Sequence, residues 1–125
     1  MNKLHLNKID STNNYLKQNY KNLEDYTFVS ADLQTNGKGR NEREWKSENG
    51  KNLLFSLLLL DKPLFKLYKD ISIITAYSII EALSKIGIKG LSLKWPNDVY
   101  VNGKKICGIL LESISEDEYP LQRNR

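Results

Sequence analysis

The clearest periodic pattern in the chain lies between Asp70 and Ile86, where apolar residues recur at intervals of three and four. The positions are Ile73, Ile74, Tyr77, Ile80, Leu83 and Ile86. This spacing places one apolar stripe along an α-helix, and the glycine that follows favours the left-handed backbone that ends helices. The pattern predicts a helix over residues 70–86.

The first third of the chain gives shorter signals. Asp10, Ser11 and Thr12 are good helix-capping residues, and the apolar positions that follow them predict a short first helix. Residues Tyr26–Ala31 are β-branched and aromatic, which predicts a strand. The apolar run Asn52–Leu60 predicts a second, more deeply buried strand.

The last third predicts three short strands. Leu91–Lys94 forms the first, which stops before Pro96. The segments Asp98–Val101 and Lys104–Leu111 flank Asn102-Gly103, the dipeptide most typical of a two-residue β-hairpin turn. Residues 114–125 are charged and aperiodic and are predicted to be a polar tail, so the domain is expected to span residues 1–113.

Composition narrows the class of protein. The chain has 125 residues, is 40% hydrophobic and carries a net charge of +4, which fits one domain with a core. That charge suits a nucleic acid, a phosphorylated small molecule or an acidic protein equally well. Cys107 is the only cysteine, and no apolar run is long enough for a signal peptide or a membrane span. A cytoplasmic protein is expected.

The loop from Gln34 to Asn52 is a candidate anion-binding site. Gly37 and Gly39 would let the backbone approach a ligand, while Lys38 and Arg40 would add charged donors. Neither a dinucleotide-binding fingerprint nor a P-loop is present. The alternative is a solvated surface loop, against which Trp45 argues, because an aromatic anchor could pack the loop over a ligand.

The second candidate site combines KWPND at residues 94–98 with the hairpin that follows it. Strand alternation predicts that Lys105 shares a sheet face with Cys107 and Ile109, and that Gly108 lies on the opposite face. Two lysines on neighbouring strands suit an anion between them. The alternative is a hairpin with snorkelling lysines, in which Asn97 and Asp98 cap a turn.

Three further features carry weaker signals. Ser11, Thr12 and Asn13 form a polar cluster that helix capping alone explains in part. His5 has no second His or Cys at metal-ligand spacing, and Cys107 has no His partner in range, so both are expected to be structural.

The order of these motifs resembles the catalytic domain of biotin protein ligases. The matching stretches are DSTN at 10–13, GKGR at 37–40, KWPND at 94–98 and GKKICGILLE at 103–112. The resemblance implies an α+β fold related to class II aminoacyl-tRNA synthetases, with helices packed on one face of a mixed central sheet. It also implies that this catalytic domain is truncated at its C-terminus.

The resemblance further implies a two-step reaction, in which biotin and ATP give biotinyl-5'-AMP and the biotinyl group then passes to a lysine of a biotin carboxyl carrier protein. The catalytic residues would be Arg40, Lys94 and Lys105. The implied biotin-binding residues are Ser11, Thr12, Asn13, Gln34, Lys38, Gly39, Arg40, Lys105 and Gly108. The implied ATP- and adenylate-binding residues are Arg40, Arg43, Trp45, Asn52, Lys94, Asn97 and Asp98, with Mg²⁺ on the phosphates.

Two positions depart from the family pattern, since Lys38 and Glu42 stand where arginine and glycine are usual. The short stretch before the first motif leads us to expect no DNA-binding domain, the short apolar runs to expect no membrane partner, and a homodimer is possible. Two alternatives stay open: a lipoate ligase or octanoyltransferase, or a biotin-binding protein without catalysis. A nucleic-acid-binding module is a third, although Glu42, Glu44 and Glu48 in the basic loop argue against it.

Overall fold

The computed structural model describes residues 2–60 and 68–114, and these form the α+β arrangement expected from the sequence. The strands are β1 (Lys3–Ile9), β2 (Phe28–Gln34), β3 (Gly37–Lys38), β4 (Glu44–Trp45), β5 (Leu54–Leu57), β6 (Leu91–Lys94), β7 (Asp98–Val101) and β8 (Lys104–Gly108). The α-helices are α1 (Thr12–Asn19) and α2 (Tyr68–Lys85). Short 3₁₀ turns occupy Tyr20–Asn22 and Arg40–Glu42.

The first sheet is mixed and has the order β1-β2-β5. β1 and β2 are parallel, with α1 between them in the chain as a crossover, and β5 is antiparallel to β2. The parallel register pairs Ile9 with Gln34. It continues past both strands, because the backbone N–H of Asn36 donates to the Asp10 carbonyl at 2.8 Å. The end of β2 therefore lies beside the start of α1.

The two faces of this sheet differ in burial. Val29, Ala31, Leu54 and Ser56 alternate along β2 and β5 on one buried face, on which α1 packs with its buried Leu16. The other face carries Phe28 and Phe55, whose rings stack with centroids 4.9 Å apart. The strands are therefore fixed in register, since a slip of one residue would exchange the two faces.

The second sheet is antiparallel, with the order β6-β7-β8, and α2 packs against β6 and β7. Val99 at its centre and Ala76 on the helix are fully buried. Residues 95–97 form the turn between β6 and β7, and the Trp95–Pro96 peptide is cis. The predicted hairpin is confirmed: Asn102 and Gly103 have φ values of 50° and 81°, the left-handed conformations that a type I′ turn requires.

Helix α2 ends through backbone hydrogen bonds around Gly87. Its N–H donates to the Ser84 carbonyl at 3.0 Å, and the Ile88 N–H donates to the Leu83 carbonyl at 3.1 Å. These two bonds form a Schellman motif, in which Gly87 adopts φ 96°. The sequence predicted this terminus within two residues.

Several predicted boundaries were wrong. β1 was not predicted at all. The strand placed at residues 26–31 begins only at Phe28, because Tyr26 has φ 62°, outside the β region. It continues to Gln34. The strand placed at residues 52–60 is limited to Leu54–Leu57, and Leu53 beside it is exposed.

The end of β8 also differs from its predicted bound, and the C-terminal residues lie largely outside the described range. The strand placed at residues 104–111 ends at Gly108. The Ile109 N–H still donates to the Asn97 carbonyl in register, but the Ile109 carbonyl accepts from the Asn97 side chain instead of from the backbone, so the ladder stops there. The predicted tail lies outside the described residues from position 115 onward. Among the helices of the described ranges, none has the length and apolarity to cross a bilayer.

The end of α2 gives a test of this fold. We expect Gly87→Ala to lower the free energy of unfolding by about 1 kcal/mol, because alanine is strained at positive φ. A new Cβ would meet nothing within 4 Å, so the cost would come from the backbone alone. Urea denaturation measures it. Gly39→Ala is the matched control, since Gly39 has φ −104° and should accept alanine without loss.

Candidate active site

The first part of the site lies where the N-terminus of α1 meets the end of β2. Ser11 caps the helix, and its Oγ accepts a hydrogen bond from the Asn14 N–H at 2.9 Å. The Thr12 N–H donates to Gln34 Oε1 at 2.8 Å, and Thr12 Oγ1 lies 3.0 Å from the same oxygen. A Cβ at Gly37 would lie 2.8 Å from Gln34 Nε2, so the Gln34 amide is held between the helix and the glycine loop.

A chain of side-chain contacts continues from Thr12 across the first sheet. Thr12, 2% exposed, has its Oγ1 2.6 Å from Ser56 Oγ. The Ser56 hydroxyl donates to Asn13 Oδ1, and Asn13 Nδ2 donates to Glu112 Oε1 at 3.1 Å. Lys17 Nζ closes the chain 2.6 Å from Glu112 Oε2. These residues come from α1, β5 and the segment after β8, so the contacts join distant parts of the sequence.

Two carboxyl groups beside this chain of contacts are held in their charged form. Burial raises the pKa of Glu112, but hydrogen bonds from Lys17 and Asn13 outweigh it, so the pKa lies below its ordinary value. The pKa of Asp10 is also lowered, first by the Ser11 N–H that donates to Oδ1 at 2.7 Å and then by the Asn14 side chain. The charge of Lys38 lowers both.

The glycine loop connects this polar cluster to the second sheet. Gly37 pairs with Trp45 in the β3-β4 ribbon, and a Cβ at position 37 would lie only 2.6 Å from the Trp45 carbonyl oxygen. Arg40 Nη1 donates to Asn97 Oδ1 at 3.1 Å. Asn97 is 5% exposed and is anchored by Nδ2, which donates to the Ile109 carbonyl at 2.6 Å. The loop and the KWPND turn therefore meet at Arg40 and Asn97.

A β-bulge corrects the predicted faces of the hairpin. Val99 pairs with Cys107 and Tyr100 pairs with Lys105, so one extra residue, Ile106, is inserted in β8. Lys105 consequently lies on the face opposite to Cys107 and on the same face as Gly108, which pairs with Asp98. The prediction that Lys105 and Cys107 share a face was wrong, because it assumed unbroken alternation.

This shared face is cationic and is covered by an aromatic ring. Lys105 Nζ lies 3.1 Å from Asp98 Oδ1 and 5.2 Å from the centroid of the Trp45 ring. A Cβ at Gly108 would approach Trp45 Cζ3 to 2.9 Å, so only glycine leaves room for the ring. The register pairs Lys94 with Asp98, which places Lys94 on this face too, with its Nζ 5.2 Å from the Tyr100 ring centroid.

Four other predicted site residues, Lys38, Gly39, Arg43 and Asn52, lie in the glycine loop or just after it. The side chains of Lys38 and Arg43 are exposed, and Gly39 donates its N–H to the Arg43 carbonyl at 2.6 Å. Asn52 Oδ1 accepts from the Glu48 N–H at 2.9 Å, which is a local loop contact. Glu42 has φ 60°, the conformation that favours the glycine usual in the family.

Sequence reasoning missed three residues that the structure places in the polar cluster: Ser56, Lys17 and Glu112. Ser56 is a polar residue in the otherwise apolar run Leu53–Leu60, which is the one signal that could have identified it. Lys17 and Glu112 are separated by 95 positions, so no local pattern links them. Their pairing follows only from the fold.

The arrangement offers two kinds of recognition side by side. The members of the polar cluster at the start of α1, Ser11, Thr12, Asn13 and Gln34, present neutral donors and acceptors, which suit an uncharged polar ring. The face with Lys94 and Lys105, together with Arg40, presents cations that suit carboxylate or phosphate oxygens. In the described ranges, no group of three or more His, Cys, Asp and Glu side chains could hold a metal ion.

A mixed α+β domain with a neutral polar cluster beside a cationic face has the features of a small-molecule-binding enzyme domain. The sequence model of the biotin/lipoate A/B protein ligase family matches residues 6–121. The chain belongs to this family.

Individual relatives agree with this assignment. The bifunctional ligase/repressor BirA of Bacillus subtilis is 37% identical over 98 residues, which cover 78% of this chain and 30% of that protein. The biotin--[acetyl-CoA-carboxylase] ligase of Paracoccus denitrificans is 36% identical over 110 residues, covering 86% of this chain and 45% of that protein.

A solved structure is similar to this chain in fold as well as in sequence. The biotin protein ligase from Aquifex aeolicus in complex with biotin and ATP matches with a TM-score of 0.80 and 40% identity, over 93% of this chain and 48% of that one. The chain thus spans less than half the length of each of these three relatives.

The contact of Trp45 with Gly108 can be tested by fluorescence. In a Trp95→Phe background, Trp45 is the only tryptophan. We expect Gly108→Ala to displace the ring, because the added Cβ would collide with it, and acrylamide quenching of Trp45 should rise. Cys107→Ala is the control, since Cys107 lies on the other face. Equal quenching in both variants would contradict the contact.

The charge of Glu112 predicts a pH-dependent stability. Its pKa is lowered from 4.5 in the folded chain, so its stabilising contribution is present above pH 4.5 and is lost as pH falls through the folded pKa. The difference in unfolding free energy between the original chain and Glu112→Gln should therefore shrink below pH 4.5. Urea titrations across this range measure it. Glu48→Gln, in an exposed pair with Lys51, should show a smaller difference at neutral pH.

Proposed function

We propose that this chain is part of a biotin protein ligase that activates biotin with ATP and transfers it to a biotin carboxyl carrier protein. The observation that carries the proposal is the meeting of the glycine loop with the cationic hairpin face. Arg40 contacts Asn97, and Trp45 covers Gly108 beside Lys105. A ligand that carries an anion would lie between cations supplied by two separate elements.

The neutral cluster supports biotin as the first substrate. The ureido ring of biotin has N–H donors and a carbonyl acceptor but no charge, so it requires neutral polar partners. Ser11, Thr12, Asn13 and Gln34 provide both donors and acceptors around the buried Thr12. The biotin carboxylate would then reach the loop at Lys38, Gly39 and Arg40.

The first chemical step requires the cationic face. A biotin carboxylate oxygen attacks the α-phosphorus of ATP, the bond to the β-phosphate oxygen breaks, and pyrophosphate leaves. Two anions must approach each other, so positioned cations lower the barrier by stabilising the charge that develops on phosphorus oxygens. Arg40, Lys94 and Lys105 are proposed for this role. No side-chain nucleophile is needed, because the substrate carboxylate attacks.

The second step transfers the acyl group. The neutral amine of a carrier lysine attacks the carbonyl carbon of biotinyl-5'-AMP, AMP leaves, and the amine loses a proton. Trp45 would cover the adenylate and exclude water from its reactive anhydride. Arg43, Asn52, Asn97 and Asp98 are proposed to bind the nucleotide. Mg²⁺ would enter on the triphosphate as part of the substrate, and a cytoplasmic location remains a prediction.

A lipoate ligase or octanoyltransferase is the alternative within the same family. Lipoate and octanoate carry an apolar chain or ring where biotin carries a urea. The polar side chains of Thr12, Gln34 and Ser56 favour biotin, because a ureido ring can hydrogen-bond to them, whereas an apolar ligand would bury them and offer no hydrogen bond. A non-catalytic biotin-binding protein would keep these contacts without turnover.

Lys105 gives the test of this proposal. We expect Lys105→Met to reduce biotin-dependent exchange of pyrophosphate into ATP by about 100-fold, because one transition-state cation is lost. Lys104→Met is the matched control: Lys104 is the neighbouring lysine, pairs with Val101 and lies outside the proposed site. Its exchange rate should be unchanged.

Calorimetry with biotin, lipoate and octanoate separates the alternatives. Biotin binding with exchange supports the ligase, whereas biotin binding without exchange indicates a binding protein alone. Tighter binding of lipoate or octanoate would overturn the choice of biotin. Equal loss of exchange in the Lys104 and Lys105 variants would remove Lys105 from its proposed role.

A further inference from the structure

Glu112 lies at the end of the chain of contacts that leads to Thr12, and its chemistry fixes the orientation of Asn13. Asn13 Nδ2 lies 3.1 Å from Glu112 Oε1 and 3.4 Å from the Leu110 carbonyl oxygen. A carboxylate and a carbonyl can only accept hydrogen bonds. The amide nitrogen of Asn13 must therefore face them, and its oxygen must face Ser56.

The orientation of Asn13 then sets the direction of the remaining hydrogen bonds. The Ser56 hydroxyl must donate to Asn13 Oδ1, since that oxygen has no hydrogen to give. Ser56 Oγ can then only accept from Thr12 Oγ1, which lies 2.6 Å away. Two oxygens 2.6 Å apart require a hydrogen between them, so the single hydroxyl hydrogen of Thr12 is directed to Ser56 rather than to Gln34, which is 3.0 Å away.

This direction leaves two acceptors facing each other at the start of α1. Thr12 Oγ1 and Gln34 Oε1 lie within hydrogen-bond distance, 3.0 Å apart. With the Thr12 hydrogen directed to Ser56, this contact has no hydrogen of its own, and Gln34 Oε1 accepts only from the Thr12 N–H. With the opposite direction, Asn13 would donate to Ser56, Ser56 to Thr12, and Thr12 to Gln34, so both oxygens would be satisfied internally. The inferred direction therefore favours a ligand N–H that donates to this pair of oxygens.

Lys17 determines how a replacement at position 112 would be oriented. Its ammonium lies 2.6 Å from Glu112 Oε2, and both side chains are largely shielded, at 32% and 22% exposure. An ammonium has only donors, so it requires an oxygen on its side of residue 112. A neutral glutamine there would turn its oxygen to Lys17 and its nitrogen to Asn13.

We propose that Lys17 and Glu112 are positioning residues that set the hydrogen-bond direction from Thr12 to Asn13, so that Thr12 and Gln34 accept an N–H from the ligand. Neither residue needs to touch the ligand. The identification of the ligand as biotin rests on the proposed function. The direction of the hydrogen bonds is independent of it.

The test compares Lys17→Met, Glu112→Gln and the double variant by calorimetry with biotin. We expect Glu112→Gln to weaken binding about tenfold, because the glutamine nitrogen would face Asn13 and reverse its amide against the longer, 3.4 Å contact with the Leu110 carbonyl. Lys17→Met should have little effect, since the carboxylate still accepts. The double variant should regain most of the affinity, because its glutamine oxygen is free to turn toward Asn13. Glu48→Gln serves as the control for the charge change.

A merely structural ion pair predicts a different pattern. Both single variants would then weaken binding alike, in step with their unfolding free energies, and the double variant would be no better. That pattern, or unchanged binding in Glu112→Gln, would overturn the proposal. Urea denaturation of all variants supplies the stability comparison.

A second measurement needs no ligand. The side-chain amide of Asn13, observed by NMR and assigned with Asn13→Asp, should exchange slowly in the original chain, in Lys17→Met and in the double variant, and faster in Glu112→Gln. Equal exchange in all four would overturn the proposed direction. If the chain failed to bind biotin while this pattern held, the proposed function would fail and the positioning role would stand.

Discussion

The parallel pairing of β1 with β2 is the interaction on which the ligand site depends. In a parallel pair both carboxyl ends reach the same edge, so the turn after Ile9 and the side chain of Gln34 meet there. The pairing extends through the hydrogen bond from Asn36 to Asp10, which holds the start of α1 against the glycine loop. A slip of one residue would turn Gln34 away from Thr12 and dismantle the cluster.

The bulge at Ile106 plays the corresponding role in the second sheet. Regular alternation would place Lys105 on the face of Cys107, away from Trp45. The inserted residue returns Lys105 to the face of Gly108, where one position supplies a cation and the other supplies space for the ring. The cationic site therefore depends on an irregularity in the ladder rather than on the strand pattern itself.

Local signals accounted for what could be predicted from the sequence. The Ser11 cap, the glycine that ends α2 and the Asn102-Gly103 turn each depend on contacts within a few residues. Each could therefore be predicted from the local sequence. β1 was missed because its alternation of side chains is short, and it can be recognised as a strand only from its pairing with β2, 25 residues further along the chain. The bulge and the contact of Lys17 with Glu112 depend on long-range packing, which no single-sequence pattern encodes.

The glycine loop shows how the two halves of the site constrain each other. Asn41 and Glu42 both adopt positive φ, which asparagine tolerates, whereas glutamate is disfavoured there by about 1 kcal/mol. The intrinsic φ preference of Glu42 therefore does not stabilise the loop backbone at this point. The backbone is held by the β3-β4 pairing and by contacts with the second sheet, which include Arg40 with Asn97 in the turn after β6 and Trp45 with Gly108 in β8. Because these contacts surround the cationic face, the loop is ordered by the same groups that would bind the anion.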